Sequence, residues 1–157
     1  MRSKHADISV ATVKGSRLYQ EDRWVNACIK LRTIPHGLGR LLGVMDGHGG
    51  ISAAEKVANN LEASFVEALR RNHGAVDKAL TETVKRLNEI TYNDETGTTL
   101  SITYIPDDEN RAYVAILGDS PVIIQGHDCR IYLGPIHNVR CNPPNASLKP
   151  NVYRRVL

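Results

Sequence analysis

The sequence predicts an α+β domain in which a pair of helices packs against antiparallel sheet. Three observations carry this prediction. Apolar residues recur at a spacing of 3.6 through the middle of the chain, from about Ser52 to Ile90. On either side the pattern changes to alternation. The links between the later alternating runs are short and polar, as antiparallel hairpins require.

Taken in order, Ile8, Val10 and Thr12 alternate with Ser9, Ala11 and Val13 before Lys14-Gly15, which predicts a short strand ending in a turn. Trp24 to Leu31 alternate in the same way, and Pro35 to Gly39 read as a loop. Leu41 to Met45 form a short apolar run stopped by Asp46-Gly47, which predicts a buried strand. Ser52-Ala53-Ala54-Glu55 has the spacing of a capping box, in which a serine and a glutamate satisfy the first free N–H groups of a helix. The helix that follows places Ala54, Val57, Ala58, Leu61, Phe65, Ala68 and Leu69 on one face, until Asn72 and Gly74 break it. A second helix over Ala75 to Ile90 presents Val76, Leu80, Val84 and Leu87, so the two form an antiparallel hairpin. After Gly97, Thr99–Ile105, Ala112–Leu117, Val122–Gln125 and Arg130–Leu133 read as four strands of a meander.

At 157 residues the chain suits one domain. A globular chain of this size buries about 68–70% of its unfolded surface, and the 41% apolar content can supply that core. The net charge of +3 and the 5% aromatic content are not the footprint of a nucleic-acid binder. No apolar window is long enough for a membrane span, and no signal peptide opens the chain. Cys28, Cys129 and Cys141 are too few and too irregular for a disulfide framework or a CxxC metal clip, which predicts free thiols and a soluble, cytoplasmic protein. The first 128 residues hold 15 of the 20 basic residues and all 17 acidic ones. The remainder is acid-free and holds four of the seven prolines, so the composition changes near residue 134.

Three segments carry chemistry. Asp46-Gly47-His48-Gly49-Gly50 falls where a buried strand ends and a helix begins. A carboxylate there is rigidly held, and the glycines let a cation or phosphate approach the backbone. Taken alone, the stretch equally suits a glycine-rich turn with a capping aspartate. Arg17-x-x-x-Glu21-Asp22 combines a guanidinium fork that matches phosphate oxygens with carboxylates that suit a hard divalent cation, although alone it also reads as a solvated turn. Gly118-Asp119-Ser120 again puts a carboxylate at a strand end, where Asp-Ser is also common in ordinary turns. No GxxxxGK[ST] or HExxH motif is present.

Together with Gly97-Thr98-Thr99, these segments occur in an order that resembles the metal-dependent serine/threonine protein phosphatases often called PPM-type. The likeness spans about residues 8–140, so residues 1–140 are expected to form a partial PPM-type domain and 141–157 a divergent or unstructured tail. The resemblance implies a truncated α-β-β-α sandwich of two antiparallel sheets with helix pairs outside. It implies Mn²⁺ or Mg²⁺ as cofactor, two ions sharing a hydroxide that attacks a phosphoprotein's phosphoserine or phosphothreonine. It further implies metal-site roles for Glu21, Asp46, the Gly47 carbonyl and Asp119, with Asp22 orienting water, His48 as general acid and Arg17 clamping phosphate.

The chain departs from the family pattern in three ways. After Asp119 the sequence has no carboxylate side chain but Asp128, so the family's later metal-binding aspartates have no counterpart and the second metal site lacks its ligands. Pro121 stands where the family usually has arginine, and Ile136 where an aspartate precedes the histidine. A sandwich sheet without its partner exposes an apolar face, which predicts a marginal or self-associating chain. Two competing readings follow: a catalytically dead phosphatase-like binding module, or a fragment without independent function.

Overall fold

Alternation along Arg23–Lys30 and Leu38–Met45 sends one row of side chains into a core and the other away from it, whereas Arg111–Leu117 is buried on both faces. The structure, a computed structural model, describes residues 7–126, 129–134 and 151–156, the last as backbone only. Its elements in chain order are β1 (Arg23–Lys30), β2 (Leu38–Met45), β3 (Gly47–His48), α1 (Ser52–Arg71), α2 (Val76–Thr91), β4 (Gly97–Thr98), β5 (Leu100–Pro106), β6 (Arg111–Leu117), β7 (Ile123–Gln125), β8 (Ile131–Leu133) and β9 (Asn151–Val156).

The main sheet has the order β1-β2-β5-β6-β9, antiparallel throughout. Gly43 faces Val25 on one side and Ile102 on the other, and Ile102 in turn faces Ala115. This register lines up Ala27 and Ile29, Leu41 and Met45, Leu100, Ile102 and Tyr104, and Tyr113 and Ala115 against the helix hairpin. From the helices come Val57, Leu61, Phe65, Leu69, Val76, Leu80, Val84 and Leu87. Phe65 and Tyr104 sit at the centre with ring centroids 4.7 Å apart and planes tilted by 52°. Burying a side chain such as Leu61 contributes about 1.5–3 kcal/mol, so this two-layer core dominates the stability.

The hairpin turns sharply. Asn72, His73 and Gly74 N–H groups donate back to the Ala68, Arg70 and Leu69 carbonyls, closing α1. Gly74 has φ +86°, and a Cβ there would lie 2.3 Å from the Pro35 carbonyl oxygen, so only glycine fits. Glu67 pairs with Arg71 and Arg86, and Arg71 also pairs with Glu82, which ties the antiparallel helices across their exposed side.

The α+β class and the helix hairpin are as the sequence predicts, and four details differ. Ile8–Val13 is not a strand: Val13 is 84% exposed, so alternation there buries nothing that would hold a sheet edge. β2 begins at Leu38, inside the expected loop, because Gly39 pairs with Ile29 and Pro106. The capping box does not form. Ser52 Oγ instead donates to Asp94, and the Ala53 N–H is taken by Thr96 Oγ1 at 2.8 Å. Finally, the meander is broken after β6. β7 and β8 form a separate two-stranded sheet, and the free edge of β6 is taken by β9 from within residues 141–157, the segment expected to be a divergent or unstructured tail. Asp128, Ile136, His137 and Cys141 lie outside the described residues.

Candidate active site

The end of β2 sets the site. Asp46 directly follows Met45, and its backbone is held on both sides. Its N–H donates to Thr99 Oγ1 at 3.1 Å, and its carbonyl accepts from the Thr99 N–H at 2.9 Å and from Thr98 Oγ1 at 3.1 Å. The next two residues, β3, pair with β4, which lays the His48 ring against Gly97. Gly47 lies beneath the Glu21 backbone. A Cβ there would meet the Glu21 carbonyl oxygen at 2.5 Å, so the absence of a side chain allows the two segments to touch.

Glu21 and Asp22 sit on a turn fastened by Arg23. Its Nη1 donates to the Gln20 and Asp22 carbonyls at 2.8 Å, and its Nη2 to Glu55 on α1 at 2.7 Å. Arg17 follows the turn that starts at Lys14. Asp119 arrives from the far end of β6, and the adjacent Ser120 bonds to Thr99 and Ser101.

Arg17, Glu21, Asp22, Asp46, Gly47, His48 and Asp119 all line one open cleft of about 870 Å³. The seven residues that the sequence singles out are therefore brought together, and none is left elsewhere. Partial burial raises the Asp46 pKa, and the nearby Asp22 and Asp119 carboxylates raise it further, with His48 acting the other way. Among the described residues, no three His, Cys, Asp or Glu side chains converge to hold a metal ion unaided. The Glu21, Asp22, Asp46 and Asp119 carboxylates and the Gly47 carbonyl nevertheless offer oxygen donors, and Mg²⁺ is usually held by only one or two carboxylates with several waters. The cleft thus fits a water-rich hard cation and not an all-protein cage.

Sequence reasoning did not anticipate two parts of the wall. Val10 to Lys14 run along it as irregular chain, and Trp24 lines it from β1. Trp24 alternates with the core residues Val25 and Ala27, so its period already places it on the face away from the helices.

An antiparallel sheet backed by a helix hairpin, with acidic residues, an arginine and a histidine gathered in a cleft at the strand ends, defines an α+β domain with a charged, open site. A family model described as Protein phosphatase 2C matches residues 13–140, and the chain belongs to that family. It is 31% identical over 120 residues to "Probable protein phosphatase 2C 56" of Oryza sativa subsp. japonica, covering 72% of this chain and 32% of that protein. The chain therefore spans about a third of that curated relative.

Solved structures agree on the fold. A sex-determining protein of C. elegans superposes with a TM-score of 0.67 at 18% identity, covering 92% of this chain and 47% of that one. The PP2C phosphatase domain of the cell fate determinant SpoIIE from Bacillus subtilis gives 0.59 at 17%, covering 92% and 40%. A bacterial serine phosphatase gives 0.60 at 17%, covering 88% and 74%. Among the described residues, no helix is long and apolar enough to cross a membrane.

Proposed function

We propose that the cleft is a metal-dependent phosphoester-hydrolysing site for phosphoserine and phosphothreonine in proteins, with Mn²⁺ or Mg²⁺ as its cofactor. The observation that carries this is the convergence of all seven family-pattern residues on one cleft. Asp46, Glu21 and the Gly47 carbonyl would hold one ion, with Asp119 supporting the neighbouring position. When bound, the cation lowers the pKa of water and offsets the charge of the phosphoryl group.

The chain's own groups supply the rest. The Arg17 guanidinium binds two phosphate oxygens through its planar fork. Asp22, beside Asp46 in the cleft, accepts a hydrogen bond from a water there and so fixes its direction. His48, exposed on β3, donates a proton to the departing seryl or threonyl oxygen. The aspartates repel one another, and their crowding favours a cation over an empty site.

A second reading, a phosphatase-like binding module, is favoured by the lack of three convergent metal-ligating side chains among the described residues. Hydrolysis of a phosphopeptide against rising Mn²⁺, with Asp46→Ala as control, separates the two. Metal-dependent turnover lost in the variant supports the enzyme. A folded chain without turnover leaves the binding module.

The free, exposed thiols of Cys28 and Cys129 support a reducing, cytoplasmic location, which a fluorescent fusion would test. Self-association is supported by exposed apolar side chains away from the helices. Trp24 and Val44 pair across β1 and β2 at 50% and 51% exposure, and Ile123 and Leu133 pair across β7 and β8 at 65% and 60%. A monomer at all concentrations in sedimentation would remove this reading.

A further inference from the structure

The sheet order places β5 between β2 and β6, so the residue just before β5 stands between the two strand ends that carry Asp46 and Asp119. That residue is Thr99. Its hydroxyl accepts the Asp46 N–H at 3.1 Å and lies 2.7 Å from Ser120 Oγ. A hydroxyl has one proton and two acceptor sites, so it can serve both neighbours at once. Its backbone N–H also holds the Asp46 carbonyl. Ser120 is secured from behind, where Ser101 Oγ donates to its carbonyl at 2.5 Å. The Thr99 methyl fills the space over Gly118, where a Cβ would meet it at 2.9 Å.

We infer that Thr99 is a positioning residue: its hydroxyl clamps the Asp46 backbone to the Asp119-Ser120 turn and so sets the spacing of the two carboxylates for a divalent cation. This rests on the metal reading proposed above. Asp46 and Asp119 repel each other, and an unclamped pair would relax apart before the ion arrived. The clamp holds the backbones that carry the two carboxylates at a set separation in advance, which is how groups behind a metal's ligands raise affinity.

The test compares the wild-type chain with Thr99→Val, which keeps the shape but loses the hydroxyl, and Thr99→Ser, which keeps the hydroxyl. Mn²⁺ binding is followed from the electron paramagnetic resonance signal of the free ion, and amide hydrogen exchange is followed without metal. Thr99→Val is expected to weaken Mn²⁺ binding about 10- to 100-fold, the usual cost of losing a group that orients a ligand. It should also speed exchange at the Asp46 amide and shift the Asp119 amide resonance, while Thr99→Ser stays close to wild type in both.

Wild-type binding with an unaffected valine variant overturns this inference and leaves the metal reading intact. Equal loss of binding in both variants, in step with equally lowered melting temperatures, also overturns it, because the role is then structural only. A wild-type chain that binds no Mn²⁺, with Asp46→Ala indistinguishable from it, removes the metal reading and the cation part of this inference together.

Discussion

The Arg23 guanidinium reaches Glu55 Oε1 at 2.7 Å, so the turn bearing Glu21 and Asp22 is fastened to the first helix and not only to its own strand. Through the same side chain the Gln20 and Asp22 carbonyls are held at 2.8 Å. One arginine thus fixes the approach of two site carboxylates to Asp46.

Replacing Arg23 by methionine keeps the apolar stem and removes the three bonds. The ion pair is partly exposed, so its direct contribution to stability is only about 0–1 kcal/mol. The expected outcome is a small change in melting temperature beside a several-fold rise, about 3- to 10-fold, in the Mn²⁺ concentration needed for half activity. Equal loss in both measurements would assign Arg23 a purely structural role.

His48→Ala is expected to lower kcat on a phosphoserine peptide by about 10²–10⁴, the usual worth of a general acid. With p-nitrophenyl phosphate the departing oxygen needs no proton, and the loss should shrink. Steady-state kinetics on both substrates checks this, and identical losses would deny His48 the acid role.

Asp46→Asn should stabilise the chain in the presence of a chelator. The raised pKa of Asp46 means that folding disfavours its ionised form, so the group's contribution is best at low pH and worsens as pH rises above 3.8. A neutral side chain removes that repulsion at pH 7. Calorimetry in chelator should show a melting temperature higher by about 1–3 °C, while Mn²⁺ no longer raises it.

The core makes a sharper prediction. A Cβ on Gly43 would lie 2.4 Å from Leu61 Cδ2, so Gly43→Ala should cost about 1–3 kcal/mol by overpacking. Leu61→Ala alone should cost about 2–5 kcal/mol by leaving a cavity. In the double variant the new methyl occupies part of that cavity, and the two costs should be less than additive in denaturant unfolding.

Acid stability depends on two latches away from the cleft chemistry. Asp94 bonds to Lys56, Ser52 and Thr96, which hold its pKa well below the ordinary value. Asp108 is partly buried, which acts against ionisation, but its bonds to His36 prevail and lower its pKa. Both groups therefore stabilise the fold fully above pH 3.8, and this contribution is lost as pH falls through their lowered values. Unfolding midpoints measured down the acid limb should fall less steeply for Asp94→Asn than for wild type.

Much of this protein follows from order along the chain. The helix hairpin is local: its 3.6 period and the break at Asn72 to Gly74 lie within the segment they define, and the structure places α1 and α2 within a residue of the expected bounds. β1, β5 and β6 are legible for a similar reason: β1 carries its own alternation, and β5 and β6 are short apolar runs bounded by turn residues. The seven candidate site residues were legible from motif order, not from any single signal.

What the sequence could not decide are the pairings whose partners are distant. Ser52 and Glu55 have the capping spacing, yet Asp94 and Thr96 arrive from 40 residues on and take the helix start, leaving Ser52 to bond outward and Glu55 to bond Arg23. Ile8–Val13 alternates without a neighbour to bury it, whereas β9 finds the open edge of β6. The sequence by itself determined the helix hairpin, the strands β1, β2, β5 and β6, and the order of the candidate site residues. Only the tertiary structure decided which edges pair, what caps α1 and how Thr99 joins Asp46 to Ser120, because hydrogen bonds between distant segments depend on where the chain returns and not on local period.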